Sequence, residues 1–194
     1  MSNYVLIDEF TDYIRDQVAT SDNTVIQASL DSAEEMVEEF CGRSFVVAST
    51  SSARSYSPDA QWCDTLRIHD CTAITSVVEN GSTLAVDTYQ AEPLNQLSWS
   101  GQYRPITQLR RYGSAWYHNY GKLTVVVTGT WGWSATPNAV KDATKIIAKD
   151  ILQQRNNNSG VAGFGEYGAI RVRMNPIAID LLKPLRRVEA FGVA

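Results

Sequence analysis

Residues 123–147 read LTVVVTGTWGWSATPNAVKDATKII, and this stretch holds both halves of the fold. Leu123 to Thr130 is a run of β-branched residues and reads as a strand. Gly129 lies within that run, and Trp131, Gly132 and Trp133 follow it. Thr136-Pro137 then supplies an N-cap and a first helical position, where a missing N–H costs nothing. Val140, Ala143, Ile147 and Ile151 keep the helical step, which predicts a helix ending near Arg155.

Working upstream, residues 44–133 keep the β character. Thr65-Leu66-Arg67-Ile68-His69 alternates with period two. Ile74–Val78 and Leu84–Tyr89 flank Glu79-Asn80-Gly81-Ser82, and Asn-Gly is a strong hairpin signal. Leu97–Trp99 is a weaker strand. Before this region lie two helices. The first, Leu6 to Val18, has Leu6, Phe10, Ile14 and Val18 on one face. The polar cluster Thr20-Ser21-Asp22-Asn23 breaks it and caps the second, Thr24 to Cys41, with the stripe Ile26, Leu30, Ala33, Val37 and Phe40. Gly42 stands where a left-handed helix end is wanted. Downstream, the Asn- and Gly-rich residues 156–168 read as a flexible loop. Ala169–Arg173 is a candidate extended segment. Asn175-Pro176 opens a short helix with Leu181, Leu182 and Leu185, bent near Pro184.

Helices on both sides of a β region place the chain in the α+β class. The expected architecture is a helical bundle, two N-terminal helices plus the C-terminal ones, with an inserted β-rich domain. Residues 1–43 and 134–194 would form the helical part and residues 44–133 the insertion. At 194 residues the chain is long enough to hide roughly 70% of its unfolded surface. Its longest charge-free stretch, Leu123 to Val140, is too broken by Gly, Pro and hydroxyls to span a bilayer, so no membrane partner is expected. The acidic start MSNYVLIDEF is unlike an export signal, and three cysteines are too few for a disulfide framework. Both point to synthesis inside a cell.

The net charge of −4 hides a gradient. Residues 1–42 carry ten acids and one base, residues 43–133 six acids and seven bases, and residues 134–194 five acids and nine bases. A DNA-gripping protein needs a basic stripe to displace counterions, and none is visible. The gradient suits head-to-tail contact between copies.

Motifs for chemistry are scarce. No His-Glu-x-x-His or Gly-x-Ser-x-Gly occurs. Cys63, His69 and Cys71 resemble metal ligands, but on one strand the two cysteines would lie roughly 26 Å apart at ~3.3 Å per residue. Gly163-x-Gly165-x-x-Gly168 matches a dinucleotide fingerprint in letters, yet a helix precedes it where a strand is needed. Asn80-Gly81-Ser82 and Asn157-Asn158-Ser159 match the glycosylation pattern with no export signal to use it. No cofactor, metal or catalytic set is therefore expected. Two alternatives remain. One is a carbohydrate-binding module using Trp99, Tyr103, Trp116, Tyr117 and Tyr120. The other is a hydrolase using Asp64, Asp70 or His69, which would have to converge in a pocket.

The second helix carries the sharper oddity. Asp31, Glu34, Glu35, Glu38 and Glu39 read as one acidic face opposite the apolar stripe, with no Lys or Arg among residues 23–41. Five like-charge contacts at helical spacing cost about 1–2.5 kcal/mol before screening. Such a face is either a solvated surface or one kept negative for a purpose, such as a basic partner or a passage through which DNA must slide.

Four stretches then carry a resemblance. Two N-terminal helices are separated by an acidic polar turn. Helix two ends Ala33-x-x-Met36-Val37-x-x-Phe40-Cys41-Gly42-Arg43-Ser44-Phe45. Val127-Thr128-Gly129-Thr130-Trp131-Gly132-Trp133 leads through Pro137, Val140, Lys141 and Ala143 back into helix. Pro176 runs through Leu181-Leu182-Lys183-Pro184-Leu185-Arg186-Arg187. In this order they resemble the head–tail connector (adaptor) proteins of long-tailed bacteriophages, over about half the chain.

The resemblance implies a structural virion protein with no enzyme activity, placed at the head–tail neck and assembled in the host cytoplasm. It implies a homo-oligomeric ring of twelve beneath the portal protein, extending the DNA channel. Viral double-stranded DNA would pass without specific binding, and a head-closure or tail-terminator protein would dock below. On this reading Asp31, Glu34, Glu35, Glu38 and Glu39 are candidate channel-lining residues. Residues 186–194, with Arg186, Arg187 and Phe191, form a candidate portal-docking tail. Gly42, Arg43, Trp131 and Trp133 are candidate structural anchors, with Arg43 pairing an acid of the first or second helix. The nearest rival is a head-closure or tail-completion protein one layer further down.

Overall fold

The computed structural model describes residues 4–15, 22–58, 63–98, 101–119, 122–156 and 175–187. The class is α+β, and the chain divides into two compact units: Met1–Phe45 with Thr136–Ala194, and Val46–Ala135.

The first unit is helical. Helix α1 covers Ile7–Ile14 and buries Phe10 and Ile14. It starts later than the periodicity predicts, and Val18, the expected end, lies outside the described residues. Leu6 is its extended N-cap and stays 72% exposed, so the apolar step began one turn too early. Helix α2 covers Asn23–Cys41. Asp22 caps it, its side chain accepting the Thr24 N–H at 2.9 Å. At its other end Gly42 sits at φ 62° and its N–H donates to the Glu38 carbonyl, a left-handed stop that a side chain would strain. Ile26, Leu30, Ala33, Val37 and Cys41 are fully buried. Each large apolar side chain so placed contributes roughly 1.5–3 kcal/mol.

Helix α3 covers Asn138–Asn156, packs on α2 and α4, and buries Val140, Ala143, Ile147, Ala148 and Leu152. Pro137 precedes it, its carbonyl taking the N–H groups of Val140 and Lys141. Asn156 belongs to this helix, and the rest of the expected loop, 157–168, lies outside the described residues, as does Ala169–Arg173. Helix α4 covers Pro176–Leu182, with Asn175 as N-cap accepting from Ile177 N–H at 3.1 Å. Asn175 Nδ2 also donates to Asp150 of α3 at 3.2 Å. A 3₁₀ turn, Lys183–Leu185, follows at Pro184.

The second unit is one antiparallel sheet of six strands: β1 Ser51–Tyr56, β2 Thr65–Glu79, β3 Ser82–Thr83, β4 Tyr89–Glu92, β5 Ile106–Arg111 and β6 Val125–Trp131. The order is β1-β6-β2-β5-β4, with β3 paired to β2. The two segments expected as separate strands, Thr65–His69 and Ile74–Val78, are one continuous strand. β2 changes partner along its length: Thr65 to Cys71 runs beside β5, and Cys71 to Glu79 beside β6. Register shifts between Arg67 and Cys71 and between Cys71 and Ser76 accompany the handover, as a bending strand requires. The Asn80-Gly81 turn is present, both residues at positive φ, as a type I′ hairpin needs. Its return strand is only β3. Leu84–Tyr89 is mostly not strand, because a 3₁₀ turn at Val86–Thr88 leads into β4. Leu97–Trp99 reduces, among the described residues, to an isolated bridge between Leu97 and Tyr103. Leu66, Ile68, Cys71, Val77, Leu109, Trp116, Val125, Val127 and Trp131 make the sheet core.

Candidate functional site

The acidic residues of α2 fall into two rows. Asp31, Glu35 and Glu39 follow one another at steps of four. Glu34 and Glu38 form a second row nearer the buried stripe, Glu34 lying one turn after Leu30. The single acidic face expected from helical spacing is thus divided in two. Glu34 is only 8% exposed, and its Oε1 accepts the Tyr4 N–H at 2.7 Å. Tyr4 hydroxyl donates to Glu38 and accepts the Phe45 N–H at 2.8 Å. Burial, and then the bond to Glu38, push the Tyr4 phenol well above the usual tyrosine range, so it stays a neutral donor. The segment before α1 therefore folds across this row, burying Glu34 and leaving Glu38 half-buried. Glu35 and Glu39 remain exposed, and half-buried Asp31 accepts from Gln27 at 2.7 Å.

The end of α2 is held by the chain after α4. Arg187 N–H donates to the Cys41 carbonyl at 2.8 Å, satisfying one of the acceptors that a helix end leaves open. Arg186 places its guanidinium 5.7 Å from the Phe40 ring centroid. Burial pushes the Cys41 thiol up to about 11, which keeps it a neutral, unreactive core group. Arg43 N–H donates to the Glu38 carbonyl at 3.3 Å. Phe191, the third expected docking residue, lies outside the described residues.

The two tryptophans expected as anchors act inside the sheet unit. Trp133 Nε1 donates to buried Asp70 at 3.0 Å, and Gly132 N–H donates to the Asp70 carbonyl at 2.8 Å. Trp131 Nε1 donates to the Ser52 carbonyl at 2.8 Å, and Arg54 stacks its guanidinium 4.6 Å from the same ring. Gly132 has φ 123°, and a Cβ there would stand 2.5 Å from the Val46 carbonyl oxygen.

The groups considered for other chemistry have been given other tasks. His69 Nδ1 lies 3.0 Å from the Tyr56 hydroxyl, Asp70 accepts from Trp133, and Asp64 faces Arg110 at 3.6 Å. Cys63 is exposed while Cys71 is buried and donates to the Ala73 carbonyl at 3.0 Å. Among the described residues no group of three or more His, Cys, Asp or Glu is placed to hold a metal ion. No described helix is long and apolar enough to cross a membrane. Of the aromatic residues considered for sugar binding, Trp116 is core, 2% exposed, with its indole on the Asp64 carbonyl at 3.1 Å. Tyr103 and Tyr117 are exposed, and Trp99 and Tyr120 lie outside the described residues. Sequence reasoning missed Tyr4. Its signal was indirect: the helical step from Leu30 to Glu34 to Val37 puts a carboxylate on a buried flank, and a buried carboxylate needs a donor.

No protein-family model and no curated protein matches the chain. Solved structures do. A chain in the neck of an empty GTA particle, computed with C6 symmetry, superposes with a TM-score of 0.59 at 17% identity, covering 100% of this chain and 94% of that one. A chain in the neck of a native GTA particle, computed with C12 symmetry, gives 0.56 at 15% identity, covering 99% and 93%. A third, from the virion of a native gene transfer agent particle, gives 0.55 at 17%, covering 99% and 94%. The chain shares their fold along essentially its whole length.

Proposed function

We propose that this chain is a head–tail connector (adaptor) protein of a phage-like particle. It forms a ring of twelve beneath the portal, extends the DNA channel and offers a platform to the next neck or tail component. The observation that carries the reading is the full-length likeness to neck chains of particles solved with six- and twelve-fold symmetry. The order of the connector-like sequence stretches supports it independently. The role is structural, and the chain carries no catalytic task.

Glu35 and Glu39, with Asp31, are the residues we assign to the channel wall. A negative wall forms no counterion-releasing contacts with duplex DNA, so the genome slides past it. The segment starting at Arg186 and Arg187 is the portal-docking tail, its root fixed on the end of α2 by the Arg187–Cys41 bond.

Electron microscopy of the full chain with the portal of its own particle tests the reading. Twelve-fold rings stacked coaxially on the portal are expected. Rings that bind only below a separate adaptor would make the chain the head-closure or tail-completion protein instead. Within assembled particles, Glu35→Lys with Glu39→Lys should slow DNA exit. Normal ejection from particles containing that variant rejects the channel-lining role.

A further inference from the structure

Asn80-Gly81 is the one Asn-Gly pair in the chain. The fold sets it at the tip of the β2–β3 turn, with Asn80 at φ 46° and Gly81 at φ 83°. Both residues are exposed, and a Cβ added to Gly81 would meet nothing within 4 Å. Among the described residues, the Asn80 side-chain amide and the Gly81 N–H make no hydrogen bond to another protein group. The side-chain carbonyl carbon of an asparagine and the next main-chain nitrogen can close a five-membered ring. Glycine puts no side chain in the way of that closure.

The two sides of the turn are held unequally. On the β2 side Glu79 is fixed: its Oε2 lies 3.2 Å from Arg111 Nη2, and its Oε1 accepts the Tyr117 N–H at 2.8 Å. Asn80 N–H donates to the Thr124 carbonyl at 2.8 Å. On the other side β3 is Ser82 and Thr83 alone, both exposed, paired with Glu79 and Val78. One more bond follows, from Leu84 N–H to the Val77 carbonyl at 2.9 Å. A return strand so short and so exposed opens locally at little cost, while Val78 and Glu79 keep their pairing with Val126 and Val125 of β6. That opening is all the rotation about Asn80 needs to bring the Gly81 nitrogen onto its Cγ.

We propose that Asn80 is a modification site, deamidated by its own main chain with water as the only co-reactant. The Gly81 nitrogen gives its proton to solvent base and attacks Asn80 Cγ. The bond from Cγ to the side-chain nitrogen breaks, and that nitrogen leaves as ammonia. Water opens the cyclic imide at either carbonyl, giving aspartate or isoaspartate, and nothing is oxidised or reduced. Each product adds a carboxylate beside Glu79. Isoaspartate also adds a methylene to the main chain of a two-residue loop, which the Glu79↔Ser82 register does not accommodate.

The test incubates the full chain at 37 °C, at pH 6 and at pH 8, and maps its peptides by mass spectrometry. The peptide holding Asn80 should gain the mass of an –NH2 to –OH exchange, faster at pH 8, and separate into two products. An Asn80→Asp chain supplies the retention time of one of them and should gain no mass at residue 80. Exposed Asn23, Asn95 and Asn138, each followed by a residue with a side chain, should convert about tenfold more slowly. Equal rates at those three asparagines would overturn the proposal, because the turn would then confer nothing. Conversion of Asn80 in the urea-unfolded chain alone would also overturn it, because the folded turn would then protect the site.

Discussion

In α2 the buried stripe comes from one stretch, Ile26 to Cys41, and its hydrogen bonds close within a few residues. In β2 the partners are far along the chain: Thr65 lies beside Arg110, and Cys71 beside both Ile106 and Trp131. The helical unit is built from local repetition, trimmed at each end by a cap. The sheet unit depends on single residues that let distant strands approach. The difference is sharpest at Gly129, where a Cβ would stand 2.6 Å from the Ala73 carbonyl oxygen and 2.9 Å from Cys71 Sγ. Both neighbours are fixed, one by main chain and one by burial, so neither yields cheaply.

Gly129→Ala therefore has the largest expected effect. Overpacking at that contact should cost about 2–3 kcal/mol, seen as a lower urea midpoint for the sheet unit with the slope unchanged. Tryptophan fluorescence follows the sheet selectively, because every tryptophan falls in residues 46–135. Far-ultraviolet circular dichroism at 222 nm follows the helices. A Gly129→Ala chain with an unchanged fluorescence midpoint would show that the strands relax apart, and the contrast between local and single-residue control would fail.

This contrast also governs what the sequence made legible. The α+β class, the span of α2, a cap within Thr20–Asn23 and the Gly42 stop could all be read, because each signal lies within one turn of the feature it sets. The Asn80-Gly81 turn could be read for the same reason. The continuity of β2 could not. Thr65–His69 and Ile74–Val78 read as two strands, and only pairing with β5 and then β6 carries one strand through Asp70-Cys71-Thr72. The need for glycine at 129 could not be read either, because it comes from Ala73, far away in the chain. Within the candidate site, the row Asp31, Glu35 and Glu39 follows from helical spacing alone. The loss of Glu34 and Glu38 to Tyr4 needs the chain before α1 to fold back, and no periodicity within α2 announces that. Trp116 shows the same limit: an aromatic cluster in sequence gives no sign of which ring is core.

Trp133→Phe is a smaller break in the same comparison. It keeps the aromatic volume near Asp70 and removes one donor from a buried carboxylate. A loss of about 1–2 kcal/mol is expected, again in the fluorescence transition and not in the helical one. Asp70→Asn in the same background should recover part of it, since a neutral amide costs less to bury than a carboxylate. No recovery would mean that Trp133 acts by packing alone.

The smallest expected effect lies in the helical unit, and it is electrostatic. Lys145 of α3 reaches Glu9 of α1 at 2.6 Å. That hydrogen bond, more than any opposing burial, holds the Glu9 carboxyl below its ordinary range. A carboxyl with a lowered folded value stabilises the protein above its unfolded value of about 4.3, and the benefit disappears as pH falls through the folded value. The Glu9 side chain is 39% exposed, so screening limits the pair to about 0.5 kcal/mol. Glu9→Gln should remove that amount at pH 7, remove less in high salt, and make no difference at pH 2, where both chains are neutral at this position. The helical signal at 222 nm is the measurement. An effect of Glu9→Gln that persisted at pH 2 would mean that the side chain matters for packing on α3, and α1 would then be held, like the strands, by shape at one position rather than by a replaceable charge.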